Sequence, residues 1–245
     1  MNKFLTFGEG PDTFKAAASR LSKEVKSLNL FSVIENNNFS TLDKDFQNKH
    51  KDLMFDNNRG FGFWIWKFHI INRMFENSED GDKVLYSDAG CRYLADIKTK
   101  LSDALALDYD VIDHTHGGDN DTFKTGGPGY WLYGASTNNE TWTKMDTLKY
   151  LEATEEVRKQ RMHAATVLMF TVNDKTRNLV KKIDTIMQSD YHLIDDTPSN
   201  EKNVKGFMSH RHDQSIYSLC LCSDKDLKVN TNCTNWVSRF RYKKG

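Results

Sequence analysis

Short apolar runs alternate along this chain with stretches whose apolar residues return at helical spacing. That alternation limits the fold more than any single residue does. Residues 3–7 read as a buried strand that runs into the turn Gly8-Glu9-Gly10-Pro11. Asp12 is placed to cap a helix that carries Phe14, Ala17, Ala18, Leu21, Val25 and Leu28 on one face. Phe31-Ser32-Val33-Ile34 reads as a second strand, and a polar helix follows near 42–55. A Gly-broken aromatic segment, residues 59–67, leads into a helix marked by Ile70, Ile71, Met74 and Phe75. Gly81-Asp82 turns into a strand at Val84-Leu85-Tyr86, followed by a helix near 93–106 and a strand at Val111-Ile112. Strands alternating with helices predict an α/β chain with a mostly parallel central sheet and helices on both faces.

The alternation breaks at 113–139, a glycine-rich stretch containing Gly126-Gly127-Pro128-Gly129, which reads as a long surface loop or lid. A helix near 143–160, a strand near 164–171, a helix near 174–188 and a helix opened by Asp213 follow. Residues 239–244 read as a solvated end. The expectation is one domain over 1–245, with halves at about 1–112 and 113–222 and a tail at 223–245.

Composition narrows the ligand. The 34 Lys and Arg balance 34 Asp and Glu, so the basic excess of a duplex-binding protein is missing and no nucleic-acid partner is expected. Aromatic residues make up 12% of the chain, which argues against disorder. No apolar run is long enough for a membrane span, and the first residues turn polar too early for a secretory signal. Cys91, Cys220, Cys222 and Cys233 lack CxxC spacing, so reduced thiols and a cytoplasmic location are expected.

Ligands of open α/β sheets bind beyond the carboxyl ends of the strands. Thr6 and Phe7 lie after the first strand, Asp88 after the Val84–Tyr86 strand, and residues 59–67 before a helix. All three are placed to meet there. Asp88 reads either as a ligand to a metal or ribose, or as a helix cap. In the 59–67 segment, Gly60 and Gly62 permit positive φ or close backbone approach. Its rings, Trp66 among them, read either as core with Lys67 snorkelling outward or as an aromatic wall beside a phosphate-binding Lys67. His210-Arg211-His212-Asp213-Gln214 holds more polar chemistry than a helix cap needs, although Asp213 also suits a helix start. Asp113, His114 and His116 are a weaker metal-ligand candidate.

Taken together, these segments resemble a glycosyltransferase family found in bacterial polysaccharide loci, large DNA viruses and phages. Its members read RGxGxWxWK, then GD before YxDAG, and finally (R/H)HDQS. Here the matching runs are Arg59–Lys67, Gly81-Asp82 with Tyr86-Ser87-Asp88-Ala89-Gly90, and Arg211-His212-Asp213-Gln214-Ser215, with Trp142-Thr143-Lys144-Met145-Asp146 between them. The resemblance implies a GT-A fold and transfer of a sugar from a UDP- or GDP-sugar to a hydroxyl of a glycan or other acceptor. By position it places Thr6 and Phe7 at the nucleobase, and Arg59, Trp66, Lys67 and Arg211 around ribose and diphosphate. Asp88 falls at the first position of a DxD-like motif, and Asp213 and Gln214 at the donor sugar of a retaining reaction. The motif ends in Gly90 rather than a carboxylate, so a Mn²⁺ or Mg²⁺ cofactor would rest on Asp88 with waters and phosphate, or recruit His210 or His212.

An inverting reaction would instead need a carboxylate base, for which Asp213, Glu140 and Asp146 are candidates. Trp142, with Tyr130 and Trp131, is placed to offer acceptor sugars an apolar platform, or to belong to the core. Two alternatives stay open: a non-catalytic nucleotide- or glycan-binding module, which Gly90 favours, and a nucleotidyltransferase, for which Gly8-Glu9-Gly10 lacks a basic residue.

Overall fold

A computed structural model describes residues 1–115, 137–233 and 236–239. In chain order its elements are β1 (Asn2–Phe7), α1 (Asp12–Leu28), β2 (Val33–Asn37), α2 (Lys44–Asp56), α3 (Gly60–Phe63), α4 (Trp66–Glu76), β3 (Lys83–Ser87), β4 (Cys91–Tyr93), α5 (Ile97–Leu105) and β5 (Val111–Ile112). There follow α6 (Met145–Tyr150), α7 (Glu155–Lys159), β6 (Val167–Thr171), α8 (Asp174–Ser189), α9 (Asp213–Ser223), β7 (Val229–Asn230) and β8 (Val237–Arg239).

The central sheet has the order β2-β1-β3-β6-β5-β7. β1 is parallel to β2 and β3, and β5 is parallel to β7, whereas β6 runs antiparallel to both β3 and β5. The expected mostly parallel sheet is therefore present, with one reversed strand at its centre. Because β6 is reversed, its amino end lies at the edge where β1 and β3 end. Helices cover both faces. On one, α4, α8 and α9 pack Ile70, Ile71, Val180, Ile183, Ile216 and Tyr217 against Leu5, Val84 and Leu168. On the other, Leu21 and Val25 of α1 and Leu101 of α5 meet Phe4, Leu85 and Met169. Burying each large apolar side chain contributes roughly 1.5–3 kcal/mol.

Local chemistry explains several boundaries. Pro11, not Asp12, occupies the cap of α1, and Asp12 lies in the first turn, where its charge suits the helix dipole. Asn173 and Thr176 form a reciprocal capping box that opens α8. The single helix expected near 143–160 is divided: Glu152 takes a left-handed φ of 50°, and Thr154 caps α7 by accepting from Val157 N. The second strand runs later than expected, over Val33–Asn37, because an edge strand tolerates polar residues. The helix expected from 93 starts at Ile97, because Cys91–Tyr93 pairs antiparallel with Val237–Arg239. Trp236 and Val237 are buried, whereas the solvated end expected at 239–244 lies, but for Arg239, outside the described residues. No helix among the described residues is long and apolar enough to cross a membrane.

Candidate active site

The 59–67 segment folds against the ordinary handedness of L-residues. Gly60, Phe61, Gly62, Phe63 and Trp64 all have φ between 50° and 83°. A non-glycine residue held there costs roughly 1–2 kcal/mol. Backbone bonds from Gly62 N to Asn57 O (2.9 Å) and Phe63 N to Arg59 O (2.8 Å) offset the strain, as does burial of Phe61, Phe63, Ile65 and Trp66. Gly62 is required for a second reason: a Cβ there would lie 2.8 Å from Met54 Cα. The Trp66 indole donates to Gly60 O (2.9 Å), and its ring stacks on Phe7 at 3.8 Å and 13°. This turn delivers Lys67 into the sheet edge.

Lys67 does not snorkel outward. Its ammonium lies 2.6 Å from Asp213 Oδ2 and 3.2 Å from Asp88 Oδ1, and it donates to Ala165 O at 2.8 Å. The Tyr86 hydroxyl donates to the same Asp88 Oδ1 (2.7 Å). Burial opposes the charge on Lys67, but the two carboxylates overcome it and raise its pKa. Burial pushes Asp213 up to about 6; Lys67 works against that rise, and the charge on Asp88 adds to it. Arg20 of α1 donates to Ala89 O (3.1 Å) and Cys91 O (2.7 Å), which fixes the turn carrying Asp88.

The opposite wall is residues 210–214. α9 begins at Asp213, as expected, and the preceding His212 has φ 55° and ψ −125°, a conformation unusual for any side-chain-bearing residue. Its imidazole stacks on Phe63 (5.6 Å, 7°) and leans on Trp64 (5.3 Å), so the two strained segments brace each other. His212 Nε2 is 3.1 Å from Asp196 Oδ1. Burial, then the nearby Arg59 guanidinium, take His212 down to about 4, although Asp196 works the other way. His210 is buried against Leu193 O (2.9 Å), and burial holds it well below its ordinary value.

Between these walls lies a cavity of about 680 Å³, lined by Phe7, Arg59, Trp66, Lys67, Asp88, Gly90, Arg211, His212, Asp213 and Gln214 among others. Most of the residues singled out from sequence therefore converge. Others do not. Thr6 is buried, and its hydroxyl donates to Ser87 O (2.7 Å). Trp142 is buried with the Arg211 guanidinium 4.4 Å over its ring, so it presents no open face to a sugar. Glu140 pairs with Lys159 away from the cavity. Asp146 accepts from His192 Nε2 (2.6 Å), Asn200 N (2.6 Å) and Glu201 N (3.0 Å). Despite burial, these contacts hold its carboxyl well below the usual range, so it ties down the chain rather than serving as a base. Asp113 is 2.9 Å from His163 Nδ1. Tyr130, Trp131 and His116 lie outside the described residues.

Three contributors had no signal in the sequence: Asp196, the Ala165 carbonyl and Arg20. Each reaches the site from an element distant in the chain. Tyr86 was visible as a strand residue, but not as a partner of Asp88.

The donor set does not fit an all-protein site for Mn²⁺ or Mg²⁺. Gly90 offers no side-chain oxygen, Asp88 Oδ1 already serves Lys67 and Tyr86, and His212 faces Asp196. Among the described residues no group of three or more His, Cys, Asp or Glu side chains is placed to hold a metal ion.

No family model matches the chain, and no curated protein matches it in sequence. Among solved structures it is similar to the apo form of mouse xyloside xylosyltransferase 1, at 9% identity over 96% of this chain and 86% of that one, with a TM-score of 0.47. It is also similar to the galactosyltransferase LgtC in complex with donor and acceptor sugar analogues, at 14% identity over 94% and 72% of the two chains, with a TM-score of 0.45. A third is the apo-form glycosyltransferase GlyE of Streptococcus pneumoniae, at 12% identity over 95% and 46%, with a TM-score of 0.41.

Proposed function

We propose that this chain is a glycosyltransferase of the GT-A type, moving a sugar from a UDP- or GDP-sugar to a hydroxyl of a glycan or other acceptor with retention of configuration. The observation that carries this reading is the buried Lys67 ammonium held between Asp88 and Asp213, at the floor of a cavity on the ligand-binding edge of the sheet. An ammonium between two carboxylates forms a rigid array of donors and acceptors matched to sugar and ribose hydroxyls.

In this reading Arg59 and Arg211 face the diphosphate, where negative charge builds as the bond from the anomeric carbon to the leaving oxygen breaks. The electron pair leaves with the diphosphate. The acceptor oxygen bonds to the anomeric carbon from the same face, and its proton passes to a phosphate oxygen. Asp213, ionised and fixed by Lys67, steadies the cationic sugar, and Gln214 borders it. The close ion pair with Lys67 suits Asp213 to that electrostatic role better than to proton abstraction, which supports retention.

The reading is tested by titrating the protein with a panel of nucleoside diphosphates and nucleotide sugars while following the thermal midpoint. UDP or GDP is expected to raise the midpoint, and a UDP- or GDP-sugar to be hydrolysed slowly without acceptor. No shift from any member of the panel, with or without Mn²⁺, would sink it.

A further inference from the structure

Arg59, on the cavity rim, already holds an anion of the protein's own. Its Nη1 lies 2.8 and 3.0 Å from the two oxygens of Asp196, and Asp196 Oδ1 is 3.1 Å from His212 Nε2. The rest of this loop is tied to α6. Lys144 Nζ is 2.9 Å from Asp195 Oδ1 and donates to Thr197 O at 3.2 Å, and the amides of Asn200 and Glu201 donate to Asp146. Ser199 Oγ accepts from Asp146 N (3.1 Å). Asp196, just outside the cavity lining, is thus held on a tied loop beside Arg59, a long side chain that lines the cavity and is 49% exposed.

We propose that Asp196 is a built-in stand-in for the donor's diphosphate: it holds Arg59 at the rim until phosphate oxygens replace its carboxylate on that guanidinium, and so it sets the affinity for nucleoside diphosphates. This rests on the donor-site reading above. Arg59 keeps an anionic partner throughout, a carboxylate before the nucleotide arrives and phosphate oxygens afterwards. Because both partners are half-exposed, the pair that is broken is weak, and the bonds gained to phosphate are charge-assisted. Once the diphosphate is seated, Asp196 becomes a like-charged neighbour and favours its release.

The test is calorimetric titration of UDP and GDP into wild type, Asp196→Asn, Arg59→Gln and the double variant. Asp108→Asn, at an exposed carboxylate paired with Lys228, serves as a control. Asp196→Asn is expected to bind about three- to tenfold more tightly than wild type. Asp108→Asn is expected to match wild type, and the gain should vanish when Arg59 is already Gln. Unchanged or weaker binding by Asp196→Asn would overturn the proposal. So would the same gain in the Arg59→Gln background, which would mean Asp196 acts only through its overall charge. Failure of every protein to bind either nucleotide would instead remove the donor-site reading, and the proposal with it.

Discussion

The Lys67 ammonium lies 2.6 Å from Oδ2 of Asp213, and both side chains are buried. With Asp88 on its other side, Lys67 keeps two carboxylates together that would otherwise repel. Lys67→Met keeps most of the volume but leaves the buried Asp213 without its cation. It is expected to lose about 3–5 kcal/mol of stability in urea unfolding and to show no sugar transfer. Adding Asp213→Asn should recover a good part of the stability but none of the turnover. Recovery of turnover would remove both residues from the chemistry.

Because burial raises Asp213 to about 6, a reaction that needs its carboxylate ionised should depend on pH in a defined direction. Protonation below that value removes the charge that steadies the sugar cation, so kcat is expected to rise with pH through about 6 and then level off. In Asp88→Asn the charge that helps raise Asp213 is gone, and the midpoint should move to lower pH. A pH–rate profile flat from about one unit below the expected midpoint to about two units above it would contradict this assignment.

His212 sits at φ 55° and ψ −125°, where glycine alone is at ease. The usual order of stabilities should therefore invert: His212→Gly is expected to be about 1–2 kcal/mol more stable than His212→Ala, as read by thermal or urea unfolding. Both variants lose the stacking on Phe63, so the difference isolates the backbone. Equal stabilities would show that the strain is not carried at this residue.

Behind the cavity, the carboxylate of Asp113 holds His163 while also accepting from the Tyr217 hydroxyl on α9. Burial lowers the His163 pKa, but the Asp113 charge and hydrogen bond outweigh it and take His163 up to about 10. A pKa raised in the folded state stabilises most below the unfolded value of about 6.5, and that contribution is lost as pH rises through about 10. The thermal midpoint of wild type should fall over that window. His163→Gln should start lower, by about 3 kcal/mol in unfolding free energy at neutral pH, and lack that part of the slope.

Much of this architecture could be read along the chain. The apolar spacing of Ala17, Leu21 and Val25 places α1, and the start of α9 at Asp213 follows from the preference of an acidic residue for a helix's first turn. Convergence of Lys67, Asp88 and Asp213 was legible because each lies at one end of a helix or strand whose type was clear. Orientation was not legible. Whether Lys67 points in or out depends on Asp88, Ala165 and Asp213, which only the folded sheet brings near it. The reversal of β6 has no signature in its residues, since a buried central strand is apolar whichever way it runs. Trp142 shows the converse: an aromatic beside polar residues has the same appearance in sequence whether it faces a ligand or the core.

The left-handed turn at 60–64 ties the assembly of the site to one short piece of backbone. Lys67 reaches its carboxylates only when the amides of Gly62, Phe63 and Trp64 have closed back onto Asn57, Arg59 and Gly60. Deuterium uptake at those three amides therefore reports the fraction of molecules whose site is assembled, independently of any substrate. An opening too local to register in a melting curve would still appear there.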